Sequence, residues 1–134
     1  MKSIVVKTQR DEECLDITSR IEKSIRELDI EVGTCTLYVP HTTAAIAIQE
    51  TADPAVKEDI LNAIKRLIPR SLEYKHLEGN AHAHIQASLI GNSVLVPVDD
   101  GKLKLGTWQG IIFFELDGPR ERNVWVIPSN HEIL

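Results

Sequence analysis

The chain has 134 residues, 43% hydrophobic and 26% charged, with a net charge of −5; this is the balance of one folded domain over residues 1–134, not of a disordered or fibrous chain. No apolar run approaches the roughly 20 residues of a membrane span, and Lys7 follows Ile4-Val5-Val6 too soon for a secretory signal, so a cytoplasmic location is expected. The acidic balance excludes a general nucleic-acid surface, which needs clustered cations to displace counterions from phosphates.

Ser3 to Thr8 reads as a first strand, and the acidic Asp11-Glu12-Glu13 leads towards a helix. Asp16 is the expected N-cap, and Ile17, Ile21, Ile25 and Leu28 recur at helical spacing as one apolar stripe. Thr34 to Val39 is rich in β-formers and is stopped by Pro40. Ala44 to Glu50 is a third strand. Asp53-Pro54 then combines an N-cap with proline at the first helical position, and Val56, Ile60, Ile64 and Leu67 repeat the stripe until Pro69 closes it.

Residues 70 to 82 read as loop, with a short helix from Ala83 to Leu89 ended by Gly91-Asn92. Ser93 to Val98 is a strand, Asp99-Asp100-Gly101 a hairpin turn and Lys102 to Leu105 its return. Ile111 to Leu116 is a near-continuous apolar strand, and Asn123 to Ile127 is the last one. Helices gather in the first half and hairpins in the second, which predicts an α+β fold with a largely antiparallel sheet system. Cys14 and Cys35 lack CxxC spacing and are expected as buried thiols.

The chemistry-bearing residues begin with His82 and His84 in Gly79-Asn80-Ala81-His82-Ala83-His84-Ile85. On an extended segment, residues i and i+2 share a face and could clamp one metal ion; on a helix they diverge by about 200°. His41, between Pro40 and two threonines at a strand end, is the third candidate, and three histidines from two loops suit an open zinc-type site. His76 and His131 are expected at the surface. Glu50 has no structural task in the sequence and, if beside His41, could act as a base or as the partner of a ligand. Trp108 and Gln109 in Gly106-Thr107-Trp108-Gln109-Gly110 could stack on and hydrogen-bond a flat ligand, and Arg120 could hold an anion bidentately.

Five segments in order, Pro40-His41-Thr42-Thr43-Ala44, Glu50-Thr51-Ala52-Asp53-Pro54, Gly79 to Ile85, Leu105 to Gly110 and Asp117-Gly118-Pro119-Arg120, resemble the YjbQ family across nearly the whole chain. That resemblance implies a β-sandwich-like α+β core, a homotrimer, and a histidine pocket near the subunit boundary that can hold a divalent metal, zinc or magnesium. His41, His82 and His84 would be the ligands, with Glu50 and His84 catalytic. Thr42, Asn80, Thr107, Trp108, Gln109 and Arg120 would bind a small phosphorylated substrate. The implied activity is a secondary thiamine-phosphate synthase, joining a pyrimidine diphosphate to a thiazole phosphate with release of pyrophosphate. A metal-dependent hydrolase of an unknown small molecule and a non-enzymatic trimeric metabolite-binding protein are the alternatives.

Overall fold

The computed structural model describes residues 1–76 and 78–130; His131 lies outside them. The elements in order are β1 (Lys2–Lys7), β2 (Glu13–Asp16), α1 (Thr18–Leu28), β3 (Gly33–Tyr38), β4 (Ala44–Glu50), α2 (Pro54–Leu67), α3 (Ala81–Ile90), β5 (Ser93–Asp99), β6 (Lys102–Leu103), β7 (Gln109–Glu115) and β8 (Glu121–Asn130). The strands form a five-stranded sheet, β1-β8-β3-β5-β6, and a three-stranded sheet, β2-β7-β4. Every pairing is antiparallel, as the α+β expectation required.

Helix α1 forms because its isoleucines fall on one face. Ile17, Ile21 and Ile25 are fully buried with Val6, Leu37, Val96, Val124 and Val126 from the five-stranded sheet and Ile46, Ile111 and Phe113 from the smaller one. Asp16 caps it from just outside, its carboxylate accepting from the Thr18 N–H at 3.0 Å and from the Thr18 hydroxyl. Asp53 does the same for α2, accepting from the Ala55 N–H at 2.9 Å ahead of Pro54.

Strand β7 is apolar on both sides for a physical reason. Ile111 and Phe113 face the core with α1, whereas Ile112 and Phe114 face a second cluster with Leu61 of α2 and Ala83 and Ala87 of α3. A sheet covered on both faces loses its polar alternation.

Three expectations need correction. The acidic approach to α1 contains β2, which pairs with β7 from Glu13↔Glu115 to Asp16↔Ile112; four residues are too few for a period to show. The stretch read as loop up to residue 82 is helical from Ala81, so α3 carries both histidines. Its small residues are not a sign of loop: Ala81, Ala83 and Ala87 are buried and let α3 lie close against β4. The β5–β6 hairpin turns at Asp100 and Gly101, both at positive φ (52° and 68°), but the return strand is only Lys102–Leu103. Cys14 and Cys35 are buried free thiols, each pushed up to about 11 by burial.

Candidate functional site

A polar cavity of about 640 Å³ opens where the chain leaves β3 and enters β8, lined by His41, Thr42, Asn80, His84, Arg120 and Arg122 among others. An adjoining hollow of about 400 Å³ shares His41, Thr42 and His84 and runs on to Ser88 and Asn92. Strand ends and the first turns of α3 converge here, with His41, Thr42, Asn80 and Arg120 on the connections beside them.

The cavity rests on a buried ion pair. Glu115, 0% exposed, ends β7; Arg122, 4% exposed, stands on the inward face of β8 in line with Val124 and Val126. The guanidinium grips the carboxylate in two places, Nε to Oε1 at 2.9 Å and Nη2 to Oε2 at 2.5 Å, and Nη2 also donates to the Thr43 hydroxyl at 2.9 Å. The Thr8 hydroxyl donates to Oε1 at 2.6 Å and the Asp117 N–H to Oε2 at 3.1 Å. Burial alone would raise the Glu115 carboxyl, but the bonds from Arg122, Thr8 and Asp117 outweigh it and hold the group below its ordinary value.

Above this pair sits His41. Its Nε2 accepts the Asn123 backbone N–H at 2.9 Å, so the neutral ring carries its proton on Nδ1. Burial holds the imidazole below its ordinary value, and the charge of Arg122 pushes the same way. The ring is thus neutral near pH 7, with a single N–H left to offer.

The third layer is the turn before β8. Arg120 donates from Nε to the Asp117 carbonyl at 2.7 Å and from Nη2 to the Asp117 carboxylate at 3.0 Å, while Asn80 Nδ2 donates to the same oxygen at 2.9 Å. Burial raises the Asp117 carboxyl, but the Asn80 and Arg120 bonds more than offset it. Asn80 Oδ1 is left buried without a hydrogen-bond partner. Gly118 is required at this turn, because a Cβ would lie 2.4 Å from the Arg10 carbonyl and 2.7 Å from the Glu115 side chain. His84, on α3, meets His76 edge-to-face at 5.1 Å between ring centres.

Residues 2–130 match the family model described as UPF0047 protein YjbQ-like. The chain belongs to the YjbQ family. It is 51% identical to the UPF0047 protein MJ1081 of Methanocaldococcus jannaschii over 90% of this chain and 88% of that protein. To the UPF0047 protein YugU of Bacillus subtilis it is 44% identical, covering 94% and 96%. A solved structure of an uncharacterised YjbQ/UPF0047 protein from Clostridium acetobutylicum superposes with a TM-score of 0.93 at 46% identity, covering 96% of this chain and all of that one. A YbjQ-like protein of unknown function from Sulfolobus solfataricus gives 0.92 at 41%, covering 97% and 96%. The family is therefore secure, and these relatives carry no assigned activity.

Within this YjbQ-family chain the residues singled out from sequence separate into three places. His41, Thr42, Asn80, His84 and Arg120 come together around the cavity. His82 does not: two positions from His84 on a helix, it turns away, is 3% exposed, and has Nε2 3.9 Å from Glu12 Oε1. Glu50, Thr107, Trp108 and Gln109 lie at the far end of the β4–β7 ladder, where Glu50 pairs with Gln109 while Ala44 pairs with Glu115. Six residues of strand are about 20 Å, so Glu50 is not the carboxylate beside His41. Gln109 folds onto its own loop, accepting the Gly106 N–H at 2.8 Å, and Trp108 is 63% exposed.

The three-histidine metal centre does not fit this donor set. His82 is elsewhere, and the His41 lone pair is taken by Asn123, so of the three expected ligands His84 alone is on offer. Among the described residues no group of three or more His, Cys, Asp or Glu side chains could hold a metal ion. The sequence reading also passed over Glu115 and Arg122. A charge at the end of an apolar run and another in register with two valines was the available signal: ionisable groups facing a core must be paired.

Proposed function

We propose that this cavity binds a small phosphorylated metabolite in the cytoplasm and that His84 moves protons there, with thiamine-phosphate synthesis as the candidate reaction. The observation that carries the reading is the pair of anchored guanidiniums: Arg122 uses Nε and Nη2 on the Glu115 carboxylate, and Arg120 uses Nε on the Asp117 carbonyl and Nη2 on the Asp117 carboxylate. A guanidinium fixed in this way keeps Nη1 for a ligand and loses little side-chain freedom on binding. Among the described residues neither Nη1 has a hydrogen-bond partner. Phosphate oxygens accept such donors, and the neutral His41 supplies another at Nδ1 without adding charge.

In the candidate reaction a pyrimidine diphosphate loses pyrophosphate as a thiazole phosphate is joined to it. The departing group gathers negative charge, which fixed donors stabilise more than they stabilise the bound substrate. Arg120, at the rim, would face the leaving diphosphate, and His84 would stand opposite Arg120 as proton carrier. A divalent cation, magnesium more than zinc, would enter on the diphosphate oxygens and neutralise part of their charge. The homotrimer belongs to the same reading, supported by the exposed apolar side chains of Ile85 and Leu89 on α3 and Leu95 on β5.

Calorimetric titration with inorganic pyrophosphate tests the binding half: Arg120→Ala should weaken it about tenfold, the value of one charge-assisted contact. Assaying His84→Ala for thiamine-phosphate formation and for phosphate-ester hydrolysis tests the chemistry. Undiminished thiamine-phosphate formation would remove that reaction from this cavity. Loss of hydrolysis alone would assign it a hydrolase.

A further inference from the structure

The opposite side of α3 carries a second polar cavity, of about 450 Å³, walled by Arg10, Asp11 and Glu12 from the β1–β2 turn, Lys65 and Arg70 from the end of α2, and His82 and Gln86 from α3. One helical turn separates His82 from Gln86, so both project from the same face. They are 3% and 1% exposed, yet His82 Nδ1, His82 Nε2 and Gln86 Oε1 have no hydrogen-bond partner; Glu12 beside them is held by Lys65 at Oε2 and by Arg70 at Oε1. The Gln86 amide cannot turn to remedy this, because its Nε2 donates to the Ile68 carbonyl at 2.9 Å. Buried polar atoms are almost always paired, so a cluster of orphans on one cavity wall points to a missing occupant.

The kinds of orphan define that occupant. Gln86 Oε1 accepts only, and a neutral imidazole offers one donor and one acceptor. Acceptors therefore outnumber donors on the floor, and the group that satisfies them is rich in N–H. A metal cation is the poorer answer, because it needs an anionic ligand and Glu12 is already paired with Lys65 at 3.1 Å and Arg70 at 3.3 Å, whereas an N–H group is satisfied by the neutral amide oxygen and imidazole. At the mouth the balance reverses. Arg70 is spent on Asp11 at 2.5 Å, but the Arg10 guanidinium has no partner among the described residues and is available to an anion. We propose that this cavity is a binding site for a small zwitterion of the amino-acid class, its ammonium on Gln86 and His82 and its carboxylate on Arg10.

The test is a titration of the whole protein with each common amino acid, with methylammonium and acetate as half-ligands, following the His82 imidazole nitrogens by NMR. At least one amino acid should shift these resonances saturably with a Kd below ~1 mM. Each half-ligand should bind at least about tenfold more weakly, since each lacks one of the charge-assisted contacts. Arg10→Ala, which removes an exposed side chain and leaves the fold intact, should weaken the amino acid about tenfold and leave methylammonium unaffected. Gln86→Leu should abolish binding of both. Resonances that no amino acid moves would overturn the proposal and leave the cavity to water; acetate binding as tightly as any amino acid would overturn it in favour of a simple anion site. Pyrophosphate affinity, read at the His41 cavity, should be unchanged by either variant.

Discussion

Replacing Arg122 by methionine would leave the fully buried Glu115 carboxylate without its two strongest bonds while keeping those from Thr8 and the Asp117 N–H. Removing one partner of a buried pair costs about 3–5 kcal/mol, because the remaining charge is stranded away from water. A domain of this size holds only about 5–15 kcal/mol in total, so the variant should unfold at markedly lower denaturant. The loss must also depend on pH. In the native protein Glu115 lies below its ordinary value; its contribution is present above the unfolded pKa of about 4.3 and disappears as pH falls through the folded value. In Arg122→Met burial prevails and the folded value moves above the unfolded one, so acid relieves the variant while it weakens the parent. The two denaturation midpoints, followed by tryptophan fluorescence, should be far apart at neutral pH and converge towards pH 4. The double variant Arg122→Met/Glu115→Leu should recover much of the loss, since an apolar pair of similar volume avoids the stranded charge. A deficit below about 1 kcal/mol, the scale of an exposed ion pair, or one that is constant with pH, would refute the reasoning.

Further outcomes follow from the same geometry. His41 should titrate below the ordinary histidine value of about 6.5 in an NMR pH series, because burial and Arg122 disfavour its charge. Its neutral form is thus favoured by folding, a contribution intact above pH 6.5 and lost as pH falls towards the folded value; an unshifted resonance would contradict the burial of the ring beside Arg122. Cys14 and Cys35, both buried and raised to about 11, should resist a thiol reagent in the native protein and react at once in denaturant. Ile21→Ala should lower stability by about 2–5 kcal/mol through the cavity it leaves in the core that α1 shares with both sheets, without altering pyrophosphate affinity. Protein purified without added metal should carry less than about a tenth of an equivalent of zinc, far short of the stoichiometry of a specific site; a full equivalent would mean that His41 gives up the Asn123 bond and turns.

What the sequence could reveal depended on whether a feature is periodic or positional. The isoleucine stripe of α1, the Asp-Pro start of α2 and the Asp-Gly hairpin follow local rules, and all three stand where those rules put them. Glu13–Asp16 was missed because four residues are too few to show a period, and α3 was started two residues late, at Ala83, because it has almost no apolar stripe to mark where it begins. That late start, which left His82 in the loop, then carried the site with it. Read as extended, His82 and His84 are one clamp; on a helix they serve two cavities on opposite sides. Glu50 failed for a different reason, since proximity to His41 along the chain was taken for proximity in space, and the length of β4 lies between them.

The helical placement also explains how one short segment can serve two ligands without a larger protein. Asn80 and His84 look towards Arg120 and Arg122, where guanidiniums braced by Asp117 and Glu115 suit a phosphorylated group. His82 and Gln86 look towards Arg10 and Glu12, where unpaired acceptors below and a free cation above suit a zwitterion. Between them Ala83 and Ala87 press α3 against β4 and β7, so a ligand on either face bears on the same helix. A one-turn shift of α3 would disturb both cavities at once, because their lining residues alternate along it. Substituting Ala83, which is 0% exposed, by valine should overpack this contact at a cost of about 1–3 kcal/mol. It should weaken pyrophosphate and amino-acid binding together. Arg120→Ala, by contrast, should touch only the first and Arg10→Ala only the second. If Ala83→Val changes one affinity and leaves the other as it was, the two cavities are not coupled through α3.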